Sequence, residues 1–276
     1  MIKTKGGFDL INNIYNKDCL LGLKELPKEF IDLTITSPPY DALRDYKGYD
    51  FDFEKFKLIA NELYRVTKEG GVVVWVVGDQ VINNSESGTS FRQALYFKEI
   101  GFNIHDTMIY KKPSANFPEK TRYYQVFEYM FIFSKGKPKT INLIADKKNI
   151  WAGQTSFGNS SFREKDGTLT KKSKIKVKEY SVRTNIWEIK NGRGFSTKDN
   201  IAYEHPAIFP EQLVNDHIIS WSNDGDLILD PFMGSGTTAK MAILNDRKYI
   251  GFEISKEYCD IANKRINGLY PQLKLF

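Results

Sequence analysis

Short apolar runs alternate along the chain with stretches in which apolar residues recur every three or four positions. The runs at 11–16, 30–35, 72–78 and 103–110 are rich in β-branched and aromatic residues, which is typical of strands. Residues 53–67 carry apolar side chains at helical spacing. This alternation predicts an α/β fold, in which helices cover both faces of a mainly parallel sheet.

A polar, basic and weakly periodic segment interrupts the alternation. The pattern predicts, before this segment, a helix at 20–26, a helix at 90–100 and a strand at 125–134, and, after it, helices at 210–222, 237–244 and 256–266 with strands at 227–229 and 248–252. We therefore divide the chain into 1–138, an insertion at 139–200 and 201–276. Within the insertion we expect one short strand near 185–189.

Charge is unevenly distributed over the 276 residues. The net charge is +6, and residues 135–199 hold 16 Lys and Arg against 6 Asp and Glu, so this segment carries +10 and the rest −4. A basic segment on a mildly acidic body favours a polyanion-binding face, as for nucleic acid, although a solvated lysine-rich loop would look similar.

Composition excludes several classes of protein. Hydrophobic residues make up 41% and charged residues 27%, and no apolar run approaches the ~20 residues of a membrane span. We expect a cytoplasmic protein, because no apolar signal core follows the first residues. The two cysteines and three histidines show no metal-ligand spacing and suggest no disulfide, so we expect no metal.

A glycine-rich turn joins a predicted strand to a helix in "ILDPFMGSGTTAKMA". Gly234 and Gly236 permit positive φ angles and close approach of a ligand, but the turn lacks the Gly-Lys-Ser/Thr of a P-loop and the third glycine of a dinucleotide fingerprint. Glu253 ends the next strand, 17 residues after Gly236, where a carboxylate can accept hydrogen bonds from both hydroxyls of a ribose. Together they indicate a nucleoside ligand.

A second feature is the corner "TSPPY", which ends the strand at 30–35. Pro38 and Pro39 have no N–H to give to a sheet, and Tyr40 places an aromatic ring beside them. The corner is either a rigid turn or a device that fixes the direction of a carbonyl group.

Together the two features resemble the S-adenosylmethionine-dependent DNA amino-methyltransferases. "DPFMGSGTT" resembles the cofactor motif of that family, "SPPY" its catalytic motif, and "EHPAIFPEQL", "YNKDCL" and "FEYMFIFSKG" its shorter motifs. The catalytic motif precedes the cofactor motif, with the basic insertion between them, which is similar to the β group. The resemblance implies a Rossmann-like, mainly parallel seven-stranded sheet, and it makes the insertion the target recognition region.

The resemblance also assigns roles to residues. It implies that the Ser37 hydroxyl and the Pro38 carbonyl accept hydrogen bonds from the amino group of a flipped base, while Pro39 stiffens the corner and Tyr40 stacks on the base. The residues implied to hold S-adenosylmethionine are Asp18, Cys19, His205, Pro206, Asp230, Pro231, Phe232, Gly234, Ser235, Gly236, Thr237 and Glu253. Asp230 is expected at the methionine end, Glu253 at the ribose and Asp18 at the adenine, although Asp18 would also suit a helix cap.

The implied partners follow from the same resemblance. They are double-stranded DNA, a second copy of the chain in a homodimer, and a separately encoded restriction endonuclease. Basic residues expected to contact DNA are Arg44, Lys47, Lys111, Lys112, Arg122, Lys171, Lys172 and Arg193.

The target base is left with two candidates. Serine at the first position of the catalytic motif is commoner among cytosine-N4 methylases of the family, and an acid or asparagine among adenine-N6 methylases, so we expect cytosine with adenine as the alternative. Two other classes are an RNA or protein methyltransferase, which uses a similar corner, and a DNA-binding module without activity. The permuted motif order and the basic insertion argue against the former.

Overall fold

The described part of the chain comprises residues 10–39, 51–113, 120–155, 161–171 and 174–269 of a computed structural model. The strands in these ranges are β1 Asn13–Asn16, β2 Ile31–Thr36, β3 Thr67–Val77, β4 Val81–Ile82, β5 Ser85–Glu86, β6 Asn103–Lys111, β7 Phe127–Ser134, β8 Lys147–Lys148, β9 Ser161–Arg163, β10 Leu169–Lys171, β11 Tyr180–Ser181, β12 Ile186–Glu188, β13 Leu227–Asp230 and β14 Lys248–Glu253. The helices are α1 Cys19–Glu25, α2 Phe53–Val66, α3 Thr89–Glu99, α4 Glu211–Trp221, α5 Thr237–Leu244 and α6 Lys256–Asn267, with a 3₁₀ helix at Asn200–Glu204.

A central sheet runs in the order β1-β14-β13-β2-β3-β7-β6-β12. Only β7 is antiparallel to its neighbours in this sheet, so the mainly parallel α/β fold is as predicted. The described sheet has eight strands rather than the expected seven. The eighth is β12, which was expected as a short strand inside the insertion and pairs with β6 from Ile186↔Ile109 to Glu188↔Lys111.

Two hydrophobic cores lie on opposite faces of the sheet. One core contains buried residues of α4, α5 and α6, and the other those of α1, α2 and α3. Val72, Val74 and Val76 of β3 belong to the first core, and Val73, Trp75 and Val77 to the second. Because successive side chains of a strand point to opposite faces, this division explains why the run is apolar throughout.

The boundary between α2 and β3 differs from the sequence prediction. We expected the helix to continue to residue 67 and the strand to begin at 72, whereas β3 begins at Thr67. The Thr67 hydroxyl donates to the Leu63 carbonyl at 2.6 Å and caps the helix, and Thr67 already pairs with Ile31 of β2. A register shift between Ile31 and Leu33 allows for the extra residues.

A second compact unit spans Leu143–Thr184. Its strands pair as two small antiparallel ribbons, β8 with β11 and β9 with β10, and Arg183 forms an ion pair with Asp146 at 2.6 Å. The unit lies within the predicted insertion at 139–200, but residues 185–200 group with the sheet. Within the described ranges, no helix combines the length and the apolar character needed to cross a bilayer.

Phe97 provides a test of the core between the sheet and α3. Its ring is fully buried and lies 4.5 Å from the ring of Phe133 and 5.2 Å from that of Trp75. We expect Phe97→Ala to lower the free energy of unfolding by about 3–5 kcal/mol, measured by urea denaturation. Leu95→Ala is the control on the same helix, because Leu95 is 63% exposed and should cost no more than ~0.5 kcal/mol. Equal losses in the two variants would contradict this packing.

Candidate functional site

A cavity of about 510 Å³ opens at the carboxyl ends of β2, β13 and β14. This edge is where open α/β sheets bind their ligands. Most of the residues expected at the site line it: Asp18, Cys19, Ser37, Pro38, Pro39, His205, Pro206, Asp230, Pro231, Phe232, Gly234, Ser235, Thr237 and Glu253. The fold therefore brings the proline corner, the glycine-rich turn and the end of β14 to a single cavity.

The Asp230 carboxylate connects the proline corner to the glycine-rich turn. Its Oδ1 accepts hydrogen bonds from the Thr36 hydroxyl at 2.7 Å and from the Phe232 N–H at 3.0 Å, and its Oδ2 accepts one from the Thr238 hydroxyl at 2.6 Å. Burial raises the pKa of Asp230 to about 6, although these hydrogen bonds favour the charged form. Asp230 lines the cavity, and its expected contact with the methionine end of a cofactor stays a prediction.

The two glycines of the turn have different surroundings. Gly234 has a φ of +52°, and a Cβ added there would lie 3.1 Å from Nε2 of His205, in the cavity wall. Gly236 has a φ of +83° and begins α5, and a Cβ there would lie 2.9 Å from the Cβ of Ala262 on α6. Gly234 thus keeps the cavity open, whereas Gly236 permits close packing of α5 against α6.

Glu253 ends β14 beside the turn, and its expected contact with the ribose stays a prediction. Its Oε2 accepts from the Gly234 N–H and its Oε1 from the Ser255 N–H, both at 2.8 Å. Burial raises the pKa of Glu253, and the nearby charge of Asp230 adds to the effect. An ionised carboxylate has about four acceptor positions, so both oxygens keep capacity for hydroxyl groups in the cavity.

Asp18 caps α1 and also faces the cavity. It accepts hydrogen bonds from the N–H groups of Leu20 and Leu21, and Lys55 lies 3.1 Å away. Burial alone would raise the pKa of Asp18, but the hydrogen bonds and the charge of Lys55 lower it below its ordinary value. Burial, together with the Asp18 charge, raises the pKa of the adjacent Cys19 thiol to about 12, so the thiol stays protonated at neutral pH. Its expected contact with the cofactor stays a prediction.

His205 and Pro206 line the cavity next to the turn. Nδ1 of His205 accepts from the Ala207 N–H at 3.1 Å, and its ring meets that of Tyr258 edge-on at 4.3 Å. These contacts fix the ring against Gly234. Among the residues that the structure describes, no three His, Cys, Asp or Glu side chains gather in a group able to hold a metal ion.

Ser37, Pro38 and Pro39 follow β2 directly. Pro38 is buried, while Ser37 and Pro39 are half-buried in the cavity wall. The Thr36 hydrogen bond to Asp230 therefore fixes the residue immediately before the corner. Tyr40, expected to stack on the base, lies outside the described residues, as do Arg44 and Lys47.

The remaining residues expected at DNA have varied partners. Lys111 forms an exposed ion pair with Glu188 at 2.7 Å, Arg122 donates to the Asn84 carbonyl, and the Arg193 guanidinium lies over the ring of Tyr203. Lys112 and Arg193 line the cavity. Lys171 is exposed at the end of β10 in the second unit, and Lys172 lies outside the described residues. Their contact with DNA stays a prediction.

Comparison with known proteins decides the family. A family model described as a DNA methylase, of the N6 and N4 type, matches residues 31–264. The orphan methyltransferase M.BamHII of Bacillus amyloliquefaciens is 67% identical over 239 residues, which covers 86% of this chain and 89% of that protein.

The chain belongs to the DNA methylase family. The prediction of an S-adenosylmethionine-dependent DNA amino-methyltransferase is thereby confirmed at the level of the family, as is S-adenosylmethionine as its cofactor.

A further relative and a protein of similar fold differ in the base that they are described to modify. The DNA adenine methyltransferase YhdJ of Escherichia coli strain K12 is 27% identical over 263 residues, which covers 92% of this chain and 82% of that protein. The PvuII DNA methyltransferase, described as cytosine-N4-specific, has a similar fold with a TM-score of 0.66 at 23% identity, covering 94% of this chain and 91% of that one.

Another protein of similar fold was solved with S-adenosylmethionine. This protein, M1.HpyAVI, has a TM-score of 0.60 at 22% identity, and the match covers 92% of this chain and 98% of that one.

A buried ion cluster contacts the glycine-rich turn and was not foreseen from the sequence. Arg265 of α6 is fully buried, and it contacts Asp199 at 3.1 Å and Glu211 at 2.9 Å. Lys240 contacts the same two carboxylates at 2.8 Å each. Arg265 also donates to the Ser235 carbonyl at 2.6 Å. The cluster therefore links three helices to the glycine-rich turn, and Arg265 is a positioning residue of that turn.

Arg265→Met tests the cluster. The change removes one of two cations from two partly buried carboxylates and leaves the Ser235 carbonyl without this donor, so we expect a loss of about 3–5 kcal/mol of stability by urea denaturation. Titration calorimetry should also show severalfold weaker binding of S-adenosylmethionine. Lys264→Met, at the exposed neighbouring position, is the control. The same denaturation midpoint in both variants would contradict the role of the cluster.

Asp230 predicts a dependence of stability on pH. A pKa of about 6 in the folded chain lies above the ordinary value of 3.8, so the folded state binds this proton more tightly than the unfolded state. The free energy of unfolding of the wild type, relative to that of Asp230→Asn, should therefore fall as the pH rises from 3.8 to 6 and level off above. At about 1.4 kcal/mol per unit the total is about 3 kcal/mol. Urea denaturation of both proteins across this range measures it, and parallel curves would refute the shift.

Proposed function

We propose that this methylase transfers a methyl group from S-adenosylmethionine to the exocyclic N4 amino group of a cytosine flipped out of duplex DNA. The observation that carries the proposal is the hydrogen bond from Thr36 to Asp230, which joins the Ser37-Pro38-Pro39 corner to the glycine-rich turn in the wall of one cavity. Acceptors for an amino group and a site for a nucleoside are thereby adjacent.

The residues at the cavity fit S-adenosylmethionine. Glu253 offers acceptor capacity for ribose hydroxyls, Gly234 leaves space where a Cβ would project, and Asp18 presents a carboxylate for an adenine amino group. His205 and Pro206 lie beside the turn, where a methionyl group is expected. When bound, the cofactor supplies an electrophilic methyl group on a sulfonium.

The proline corner prepares the amino nitrogen as a nucleophile. The lone pair of this nitrogen is delocalised into the base, and hydrogen bonds to the Ser37 hydroxyl and the Pro38 carbonyl favour a tetrahedral nitrogen whose lone pair is available. Transfer would form the N–CH₃ bond as the S–CH₃ bond breaks, and the amino nitrogen would lose one proton to water, which leaves S-adenosylhomocysteine. The corner acts by position and electrostatics, because its acceptors are fixed before the base arrives.

Serine at position 37 supports cytosine, because serine is the commoner first residue of the motif among the cytosine-N4 methylases that the chain resembles. Its uncharged hydroxyl is a weaker acceptor than a carboxylate. The alternative target is adenine N6, which the relative described as a DNA adenine methyltransferase supports. The two activities differ in the base that enters the cavity and share the same corner.

We also propose the substrate, the oligomeric state and the cellular role of the protein. The substrate is double-stranded DNA, which the unit at Leu143–Thr184 and the basic residues near the cavity contact, and the protein acts as a homodimer. It serves in restriction–modification or in epigenetic marking of DNA. The description of the relative M.BamHII as an orphan methyltransferase supports action without a dedicated endonuclease.

Analysis of the product tests the reaction. The purified protein, incubated with S-adenosylmethionine and bacterial genomic DNA, should yield N4-methylcytosine when the DNA is digested to nucleosides and examined by mass spectrometry. Ser37→Ala should lower the initial rate by about 10²-fold or more, because a preorganised polar contact to the reacting group is lost.

Ser85→Ala is the matched control, as Ser85 is exposed in the β4–β5 hairpin. Appearance of N6-methyladenine alone would replace cytosine by adenine as the target. Methylation of RNA or protein in preference to DNA would refute the proposal.

A further inference from the structure

Three polar side chains on β6, just after β6 and on β7 line the cavity but have no part in the corner or the cofactor site. They are Tyr110, Lys112 and Glu128. Lys112, which was expected to contact DNA, forms an ion pair with Glu128 at 2.6 Å, and both side chains are mostly buried. This polar group therefore belongs to the interior of the site rather than to an exposed basic face.

The sheet places this polar group on the same face as Ser37. Ile35, Met108, Tyr110 and Met130 all belong to the core covered by α4, α5 and α6. Because side chains alternate along a strand, Glu128 projects towards that side. Ser37 and Lys112, which directly follow β2 and β6, line the same cavity as Glu128.

The strand register also places the proline corner, Glu128 and Tyr110 at the same height along the strands. Thr36 pairs with Trp75, which pairs with Phe131. Continuing this register past the end of β2 brings the corner level with the end of β7 that contains Glu128, and Glu128 pairs with Tyr110. Neighbouring strands are about 4.8 Å apart, so β7 lies about 10 Å and β6 about 14 Å from β2, a gap that the long side chains of Tyr110 and Lys112 and a base between them can fill.

Tyr110 is the unexplained member of the group. Its side chain is only 3% exposed, and its hydroxyl has no hydrogen-bond partner among the described residues. Burial, with the charge of Glu128 as a second cause, raises the pKa of Tyr110, so the hydroxyl remains a donor across the physiological range. Lys112 has three N–H bonds, and its ion pair with Glu128 leaves donors available.

We propose that the Tyr110 hydroxyl and the Lys112 ammonium donate hydrogen bonds to the ring acceptors N3 and O2 of the target cytosine, with Glu128 as the positioning residue of Lys112. The assignment rests on the proposed function. Cytosine presents its amino group, N3 and O2 in succession along one edge, so two donors beyond the amino-binding corner match its two adjacent acceptors.

Adenine does not complement this arrangement. Beside its amino group it presents one acceptor, N1, followed by a C–H group. A buried donor would therefore be left unpaired against adenine, which is a strong means of rejecting a wrong substrate. Tyr110 and Lys112 are thus specificity-determining residues for a pyrimidine.

The test uses duplexes that contain the recognition site, mapped beforehand by single-molecule sequencing of methylated DNA. The target base is either cytosine or 3-deazacytosine, in which N3 is replaced by C–H while the amino group and O2 remain. We expect Tyr110→Phe to lower kcat/KM on cytosine by about tenfold or more. On 3-deazacytosine it should lie within about twofold of the wild type, because the partner of the hydroxyl is already missing.

Further measurements separate this role from a structural one. Tyr110→Phe removes an unpaired hydroxyl, so its melting temperature and its affinity for S-adenosylmethionine should match or exceed those of the wild type. Lys112→Met should weaken binding of the cytosine duplex in the absence of cofactor. Tyr123→Phe is the control, since Tyr123 is fully exposed.

The outcomes are distinct. Failure of the wild type to form N4-methylcytosine refutes the proposed function. Formation of N4-methylcytosine with unchanged kcat/KM in Tyr110→Phe, or an equal loss on both bases, overturns the assignment of Tyr110 alone. If Tyr110→Phe does not fold, Lys112→Met takes its place, and equal rates of the wild type on cytosine and 3-deazacytosine overturn the contact with N3.

Discussion

The buried carboxylate of Asp230 is the interaction on which the site depends. It binds Thr36 at the end of β2 and Thr238 in α5, two residues that lie far apart in the sequence. A carboxylate in this environment is costly to desolvate, and its three hydrogen bonds offset part of that cost. Because the same group holds both sides of the cavity, the proline corner keeps a fixed position relative to the glycine-rich turn.

A buried cluster of charged side chains also holds the glycine-rich turn in the cavity wall. Arg265 and Lys240 neutralise Asp199 and Glu211, and Arg265 also binds the Ser235 carbonyl. A buried ion cluster adds little net stability compared with apolar packing. In this protein its contacts join α4, α5 and α6 to the backbone of the turn.

The local features of the site could be read from the sequence, because each depends on a few consecutive residues. Residue type and spacing alone identify the proline corner, the glycine-rich turn and Glu253. The pairing of Tyr110 with Glu128 could not be read, since it depends on the order and register of strands. The sequence does not separate Arg265 from the other basic residues of the chain. Its burial and its ion pairs depend on how α6 packs. The sequence predicts β12 as a strand, but its place at the edge of the sheet depends on its pairing with β6, which is distant in the sequence.

The attachment of the unit at Leu143–Thr184 has an evolutionary consequence. Asn142, just before it, donates its backbone N–H to the Ser220 carbonyl, and Asn185, just after it, accepts from the Ile109 N–H. The residues on either side of the segment are thus held by hydrogen bonds to the unit that contains the central sheet, here called the frame, and no residue of the segment takes part in these bonds. Recombination or rapid divergence can replace the intervening 42 residues while the frame keeps every hydrogen bond of its sheet. A lineage can in this way acquire a new segment here and inherit the chemistry unchanged.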